Sequence, residues 1–151
     1  RGLDAEISGS LTDRWQVYAG YTFNRSTNRN SVGDNVESRR KGYNFSSHTP
    51  KHMFRLYTSY ILPVDDGKWT VGLGLKSSSK TANSYGSIKQ GGYTVWNTNV
   101  QYRPSKNLQL GLAVNNLTDK RYYESYAHRA TYQGHFYGQP RNVTLNFKWK
   151  M

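Results

Sequence analysis

Apolar and polar residues alternate along seven segments of the chain, and this period of two predicts β-strands. The clearest case is "NVTLNFKWKM", in which polar or charged residues separate the apolar positions Val143, Leu145, Phe147, Trp149 and Met151. The predicted strands cover residues 2–11, 15–24, 52–62, 69–76, 93–102, 108–116 and 142–151. Because no segment has a convincing helical period, the sequence predicts an all-β, antiparallel meander.

Short and long connections alternate strictly between these predicted strands. The short ones are "TDR", "PVDDGK" and "RPSKN", whose Pro, Gly, Asp and Asn residues suit tight turns. The long ones cover about residues 25–51, 77–92 and 117–141 and carry Ser, Asn, Gly and much of the charge. A meander of this kind gathers its long loops at one end, as outer-membrane β-barrels do.

The two faces of the predicted strands differ in charge. No Asp, Glu, Lys or Arg falls on the apolar face, whereas Asp4, Glu6, Arg55, Lys76 and Lys148 fall on the other. A Lys or Arg that faces lipid at mid-bilayer costs roughly 2–4 kcal/mol, so a membrane explains the exclusion. Aromatic residues near the strand ends fit the girdles of a membrane barrel: Trp15, Phe23, Tyr60, Trp69, Tyr102 and Trp149.

A soluble β-sandwich or lipocalin-like barrel would produce the same alternation, with its apolar face turned inward. However, the opposite face carries small or neutral residues such as Gly20, Gly72, Gly111 and Ser59, which suit a polar lumen wall. We therefore favour a membrane barrel and keep a soluble basic β-barrel that binds an anionic ligand as the alternative. Since single-chain bacterial barrels have even strand numbers of about eight or more, we expect this chain to be the last part of a larger barrel.

Charge and composition narrow the possible partners. The chain of 151 residues has 21 Lys and Arg against 9 Asp and Glu, which gives a net charge of +12 and indicates an anionic partner. No run of about 18 apolar residues occurs, so a helical membrane protein is excluded. Without cysteine the chain can form no disulfide. We predict no nucleic-acid partner, because that reading would need a second layer to cover the apolar face.

The whole chain, including "GLDAEISGSLTDRWQVYAGYTF" and "PKHMFRLYTSYILP", resembles a known family, and two segments carry that family's most specific motifs. "LQLGLAVNNLTDKRYYES" resembles the C-terminal signature of TonB-dependent outer-membrane receptors through Asn116, Leu117, Asp119, Lys120, Tyr122 and Tyr123. "HFYGQPRNVTLNFKWKM" is similar to the end of ferric-siderophore receptors, with Tyr137, Gly138, Pro140 and Arg141 before the last strand. The family usually ends on an aromatic residue, whereas this chain ends on Met151, with Phe147 and Trp149 as the aromatic residues of the assembly strand.

The resemblance implies the last seven or so strands of a 22-stranded barrel. It also implies that residues 1–151 form the C-terminal part of that barrel, with the plug domain, the TonB box and the earlier strands outside them. Such a receptor sits in the bacterial outer membrane, with long loops extracellular and the C-terminus periplasmic. It binds a ferric siderophore and takes it up with energy supplied by TonB. Lipid and lipopolysaccharide would surround it.

Arginine and aromatic residues in the long connections are the candidate ligand contacts, because they suit charge-assisted hydrogen bonds and stacking. The candidates are Arg39, Arg40, Tyr43, Arg129, Tyr132, His135 and Tyr137. Contact with lipopolysaccharide phosphates, or solubility alone, would also explain these residues. We predict no enzyme activity, catalytic residue or cofactor, the ferric siderophore being the transported ligand. We also predict no metal site, although His48 and His52 lie four residues apart.

Overall fold

A computed structural model describes residues 1–27, 29, 47–82, 88–125 and 135–150. Seven strands form one antiparallel sheet in which neighbours in sequence order are neighbours in space. They are β1 (Gly2–Thr12), β2 (Trp15–Asn24), β3 (His52–Ile61), β4 (Trp69–Ser78), β7 (Tyr93–Ser105), β8 (Leu108–Asn115) and β11 (Asn142–Trp149). The predicted all-β meander is therefore confirmed, with strand ends that differ from the predicted ones by at most three residues.

Four shorter strands lie within the long connections and were not predicted. β5 (Thr81–Ala82) pairs with β6 (Lys89–Gln90), and β9 (Tyr123–Ser125) pairs with β10 (Phe136–Tyr137). Strands of two or three residues are too short to show an alternating pattern, which is why the sequence did not reveal them. The described ranges contain no helix long and apolar enough to cross a membrane.

The apolar face of the sheet is open to its surroundings. On the edge strands Ile7 is 72% exposed and Leu145 is 81% exposed. Leu73 and Leu112, on strands that have a partner on both sides, are exposed as well. Val95 is the one buried apolar side chain among the described residues. A soluble protein would cover such a face, so the soluble alternative is not supported.

Rows of apolar side chains cross the sheet because the register matches apolar positions on every strand. One such row runs from Trp15 through Tyr60, Val71, Val100 and Leu112 to Leu145. The register is irregular only near the short turns, between Ser10 and Thr12 and between Tyr102 and Ser105 in the described strands of this sheet, so the apolar positions stay on one face along this row.

Aromatic side chains gather at the end of the apolar face where the short turns lie. The rings of Trp69 and Tyr102 stack at 4.3 Å, and Trp15 meets Tyr60 edge-on at 6.4 Å. Trp149 lies on the same side, where it pairs with Leu108 next to a short turn. Indole and phenol rings are amphipathic, so such a belt suits the boundary between hydrocarbon and water.

Polar groups and glycines line the opposite face. The Tyr57 hydroxyl donates to Asn99 Oδ1 at 3.2 Å, and both side chains lie over Gly72. The Tyr18 hydroxyl donates to Glu6 Oε1 at 3.0 Å. Arg55 and Lys76 stand opposite each other on β3 and β4. The predicted separation of an apolar and a polar face is thus present in the structure.

The turn between β3 and β4 is tightly wound. Asp65, Asp66 and Gly67 form a 3₁₀ turn in which all three have positive φ angles of 49°, 53° and 76°. Lys68 Nζ lies 2.8 Å from Asp65 Oδ1. This contact lowers the pKa of the Asp65 carboxyl and raises the pKa of Lys68. The short turn predicted for "PVDDGK" is therefore present, and its Asp-Asp-Gly residues reverse the direction of the chain.

Candidate functional site

The candidate site lies at the long-loop end, where Asn116 follows the last residue of β8. Its side chain is 2% exposed. Asn116 Nδ2 donates to the carbonyls of Lys120 and Gln139, each at 2.9 Å, and its Oδ1 accepts from the Lys120 amide at 2.8 Å. The φ angle of Asn116 is 51°, a left-handed conformation that asparagine tolerates better than most residues. One side chain thus closes the turn and holds a distant segment against it.

Two further contacts join the same two segments. The Arg141 amide donates to Asp119 Oδ1 at 2.9 Å, and the Gly138 amide donates to the Tyr122 carbonyl at 2.9 Å. We call the joined segments 116–123 and 137–141 the clasp. Both family-signature motifs of the sequence lie in it, so these motifs bind each other.

Gly138 has a steric role in the clasp. A Cβ at this position would overlap the phenol ring of Tyr122. The same ring stacks on Tyr93 at 4.4 Å, so a shift of Tyr122 away from an added Cβ would disturb this stack. Burial, together with the nearby Glu124, raises the pKa of the Tyr122 phenol above its ordinary value.

An aromatic platform lies on the clasp. The rings of Tyr123 and Tyr137 stack at 4.6 Å with their hydroxyls 3.1 Å apart, and His135 meets Tyr123 edge-on at 5.9 Å. Tyr137 is 64% exposed, so one part of the stack faces outward. Lys120, Arg121 and Arg141 are exposed and lie within four residues of Tyr123 or Tyr137 in the sequence. Rings beside cations can stack on a planar ligand and attract an anionic one.

The structure brings together two of the predicted ligand contacts, His135 and Tyr137, with the signature residue Tyr123. The other predicted contacts, Arg39, Arg40, Tyr43, Arg129 and Tyr132, lie outside the described residues, as does Met151. Sequence reasoning missed Tyr93 and Asn97, whose Oδ1 accepts from the Asn116 amide at 2.9 Å. No local pattern marks these residues, because their partners are distant in sequence.

His48 and His52 are not brought together as a metal site in the described ranges, which hold no cluster of three or more potential ligands. His52 Nδ1 instead lies 2.8 Å from the Tyr21 hydroxyl, and its ring packs 5.1 Å from that of Phe23. These contacts lie at the loop end of the apolar face, and they give His52 a structural role there.

Comparison with known proteins identifies the family. The family model described as "TonB dependent receptor-like, beta-barrel" matches residues 1–117. The chain belongs to the TonB-dependent receptor β-barrel family. This is a family of outer-membrane transport receptors, so the resemblance seen in the sequence is confirmed. The match includes six of the seven strands of the large sheet and ends just after Asn116, so β11 and the 137–141 segment of the clasp lie outside it.

Three relatives make the comparison concrete. The ferric-pyoverdine M114 receptor PbuA of Pseudomonas sp. strain M114 is 33% identical over 152 residues, which cover 98% of this TonB-dependent receptor chain and 18% of PbuA. The ferripyoverdine receptor of Pseudomonas aeruginosa, solved with ferripyoverdine bound, superposes with a TM-score of 0.75 at 30% identity, over 98% of this chain and 19% of that one. The closed form of the ferric-catecholate import receptor Fiu of Escherichia coli K12 gives a TM-score of 0.79 at 28% identity, over 98% and 20%. The chain therefore spans about a fifth of the length of the relatives that it matches.

Proposed function

We propose that this chain forms part of the barrel of an outer-membrane receptor that binds a ferric siderophore and imports it with energy supplied through TonB. The observation that carries the proposal is the similarity along 98% of the chain to a ferric-pyoverdine receptor. The exposed apolar face and the gathering of the long connections at one end agree with it. The activity is binding and gated passage, without covalent chemistry, and no resident cofactor or metal takes part.

We further propose that lipid covers the apolar face and that lipopolysaccharide surrounds the long-loop end. In this arrangement the long connections are extracellular and the short turns are periplasmic, together with the residues after β11. The aromatic belt around Trp69 and Tyr102 then marks the periplasmic boundary of the hydrocarbon layer.

Within the proposed receptor, Tyr137 and His135 contact the siderophore from the aromatic platform. The exposed, stacked ring of Tyr137 supports this assignment, since a pre-ordered ring loses little entropy on binding. Arg39, Arg40, Tyr43, Arg129 and Tyr132 remain predicted contacts from the neighbouring parts of the long connections.

Uptake of ⁵⁵Fe by the full-length receptor tests the function. A strain that lacks its own siderophore receptors is complemented with the receptor gene and supplied with ferric pyoverdines, ferric catecholates and ferric hydroxamates in turn. We expect accumulation with at least one class, and loss of that accumulation when TonB is deleted. Uptake no greater than in the uncomplemented strain for every class would refute the proposal.

Substitution of Tyr137 by Ala tests the ligand contact. We expect the dissociation constant for the transported siderophore to rise by about tenfold, because one aromatic contact is lost. Tyr60→Ala serves as the control, since Tyr60 lies at the short-turn end of the apolar face. Equal affinities of the two variants would contradict the assignment of Tyr137.

A further inference from the structure

Gln90 forms a connection between two long loops that the proposed function does not require. Gln90 is the last residue of β6, in the connection between β4 and β7, whereas Tyr123 begins β9, in the connection between β8 and β11. The Tyr123 amide donates to Gln90 Oε1 at 2.5 Å, and Gln90 Nε2 donates to the Tyr123 carbonyl at 3.2 Å. A side-chain amide thus pairs with both backbone groups of Tyr123, as a neighbouring strand would.

The chemistry of the pair allows one orientation of the Gln90 amide. An amide side chain has an acceptor oxygen and a donor nitrogen, and Tyr123 presents one backbone donor and one backbone acceptor. Turning the amide over would set donor against donor and acceptor against acceptor. Glutamine is therefore well suited to this position, because it can satisfy both groups at once.

The pair of hydrogen bonds between Gln90 and Tyr123, called the bridge below, joins two paired segments, β5–β6 and β9–β10. Gln90 pairs with Thr81 where β6 pairs with β5. The Ala82 amide donates to the Ser47 carbonyl at 3.0 Å, and Ser47 lies in the connection between β2 and β3. On the other side, Tyr123 carries the stack with Tyr137. Hydrogen bonds therefore run from Ser47, between β2 and β3, through β5, β6 and Gln90, to the aromatic platform, between β8 and β11.

We propose that Gln90 is a positioning residue that makes residues 88–92, in the connection between β4 and β7, and residues 116–123, in the connection between β8 and β11, move as one unit. Through this bridge, a ligand that docks on the aromatic platform also restricts the motion of residues 88–92. The ligand part of this inference rests on the proposed function, whereas the mechanical part does not.

Hydrogen exchange of the full-length receptor, measured first without ligand, tests the mechanical part. Gln90→Met keeps the length of the side chain and removes both bonds, and Gln90→Glu keeps an acceptor for the Tyr123 amide. We expect the Tyr123 amide to exchange about tenfold faster in Gln90→Met than in the wild type, with Gln90→Glu between them. Gln101→Ala is the control, since Gln101 accepts from Arg103 and Gln109 at the opposite end of the sheet. A Tyr123 exchange rate in Gln90→Met within a factor of two of the wild type would overturn the proposal.

The ligand part is tested by repeating the exchange with ferric pyoverdine, or with another ferric siderophore that the wild type imports. We expect the wild type to gain protection in residues 88–92 as well as in 135–141, and Gln90→Met to gain it in 135–141 alone. Equal protection of both segments in wild type and variant would overturn the coupling. A wild type that binds no ferric siderophore would refute the proposed function instead, while the ligand-free comparison would still decide the role of Gln90.

Discussion

Replacing Asn116 by Ala should open the clasp, and the size of the effect follows from the contacts. The substitution removes three side-chain hydrogen bonds at a position with 2% exposure. At roughly 0.5–1.5 kcal/mol for each bond, the loss is about 2–4 kcal/mol. The left-handed φ angle adds roughly 1 kcal/mol for an alanine. The clasp should therefore lose about 3–5 kcal/mol, and at about 1.4 kcal/mol per factor of ten its opening should become more than a hundredfold more frequent.

Amide hydrogen exchange of the full-length receptor measures this opening. The amides of Gly138 and Arg141 are the best reporters, because their acceptors are Tyr122 and Asp119 and not the substituted side chain. Asn116→Gly loses the same bonds without the strain of a positive φ angle, so its exchange should be slower than that of Asn116→Ala by up to about tenfold.

Asn115→Ala is the matched control for the clasp experiment. Asn115 Nδ2 makes one side-chain bond, to Asn142 Oδ1 at 3.0 Å within the sheet. We expect a loss of about 1 kcal/mol there and a much smaller change in the clasp than Asn116→Ala causes, because Asn142 Nδ2 keeps its own bond to the Pro140 carbonyl at 3.2 Å. A change of less than threefold in the exchange of Gly138 and Arg141 in Asn116→Ala would show that the Asn116 side chain does not hold the clasp closed.

Three further predictions concern the clasp and the apolar face of the sheet. Gly138→Ala should cost about 1–3 kcal/mol by overpacking against Tyr122, and the added variant Tyr122→Ala should relieve most of that cost in urea unfolding; additive losses would contradict the overlap. Because the pKa of the Tyr122 phenol is raised in the folded state, its contribution to clasp stability is full below about pH 10 and is lost as the pH rises further. The difference between the 295 nm titrations of wild type and Tyr122→Phe should therefore have its midpoint above pH 10, and a midpoint below it would be inconsistent with burial of the ring. Leu145→Lys should destabilise the barrel in lipid by roughly 2–4 kcal/mol, whereas Asn146→Lys on the polar face should have a small effect, and equal losses would argue against lipid contact.

The seven long strands were predictable because each has one apolar and one polar face, which imposes a strict period of two on its sequence. Val143, Leu145 and Phe147 carry that pattern without interruption, and the register of the sheet extends it to the neighbouring strand. The short turns were predictable for a similar local reason, since Asp-Asp-Gly favours the positive φ angles that the structure shows.

The internal contacts of the clasp could not be predicted from pattern. The resemblance identified Asn116, Tyr122 and Gly138, but it did not indicate that the two motifs pack on each other across about twenty residues of chain. The contacts of Gln90 and Tyr93 could not be predicted either, because a hydrogen bond or a ring stack between segments distant in sequence leaves no periodic pattern. The basic candidates Arg39 and Arg129 remain predictions.

In the proposed receptor the apolar face of the sheet contacts hydrocarbon and the opposite face contacts water, and both the location and the function depend on this arrangement. It is tested most directly by spin labels placed one at a time at positions 143–148 of the full-length receptor in liposomes, to which this chain contributes no cysteine of its own. We expect labels at 143, 145 and 147 to collide preferentially with oxygen dissolved in the bilayer, and labels at 144, 146 and 148 to collide preferentially with a water-soluble nickel complex. Accessibility without this period of two, or with the two sets reversed, would contradict this arrangement.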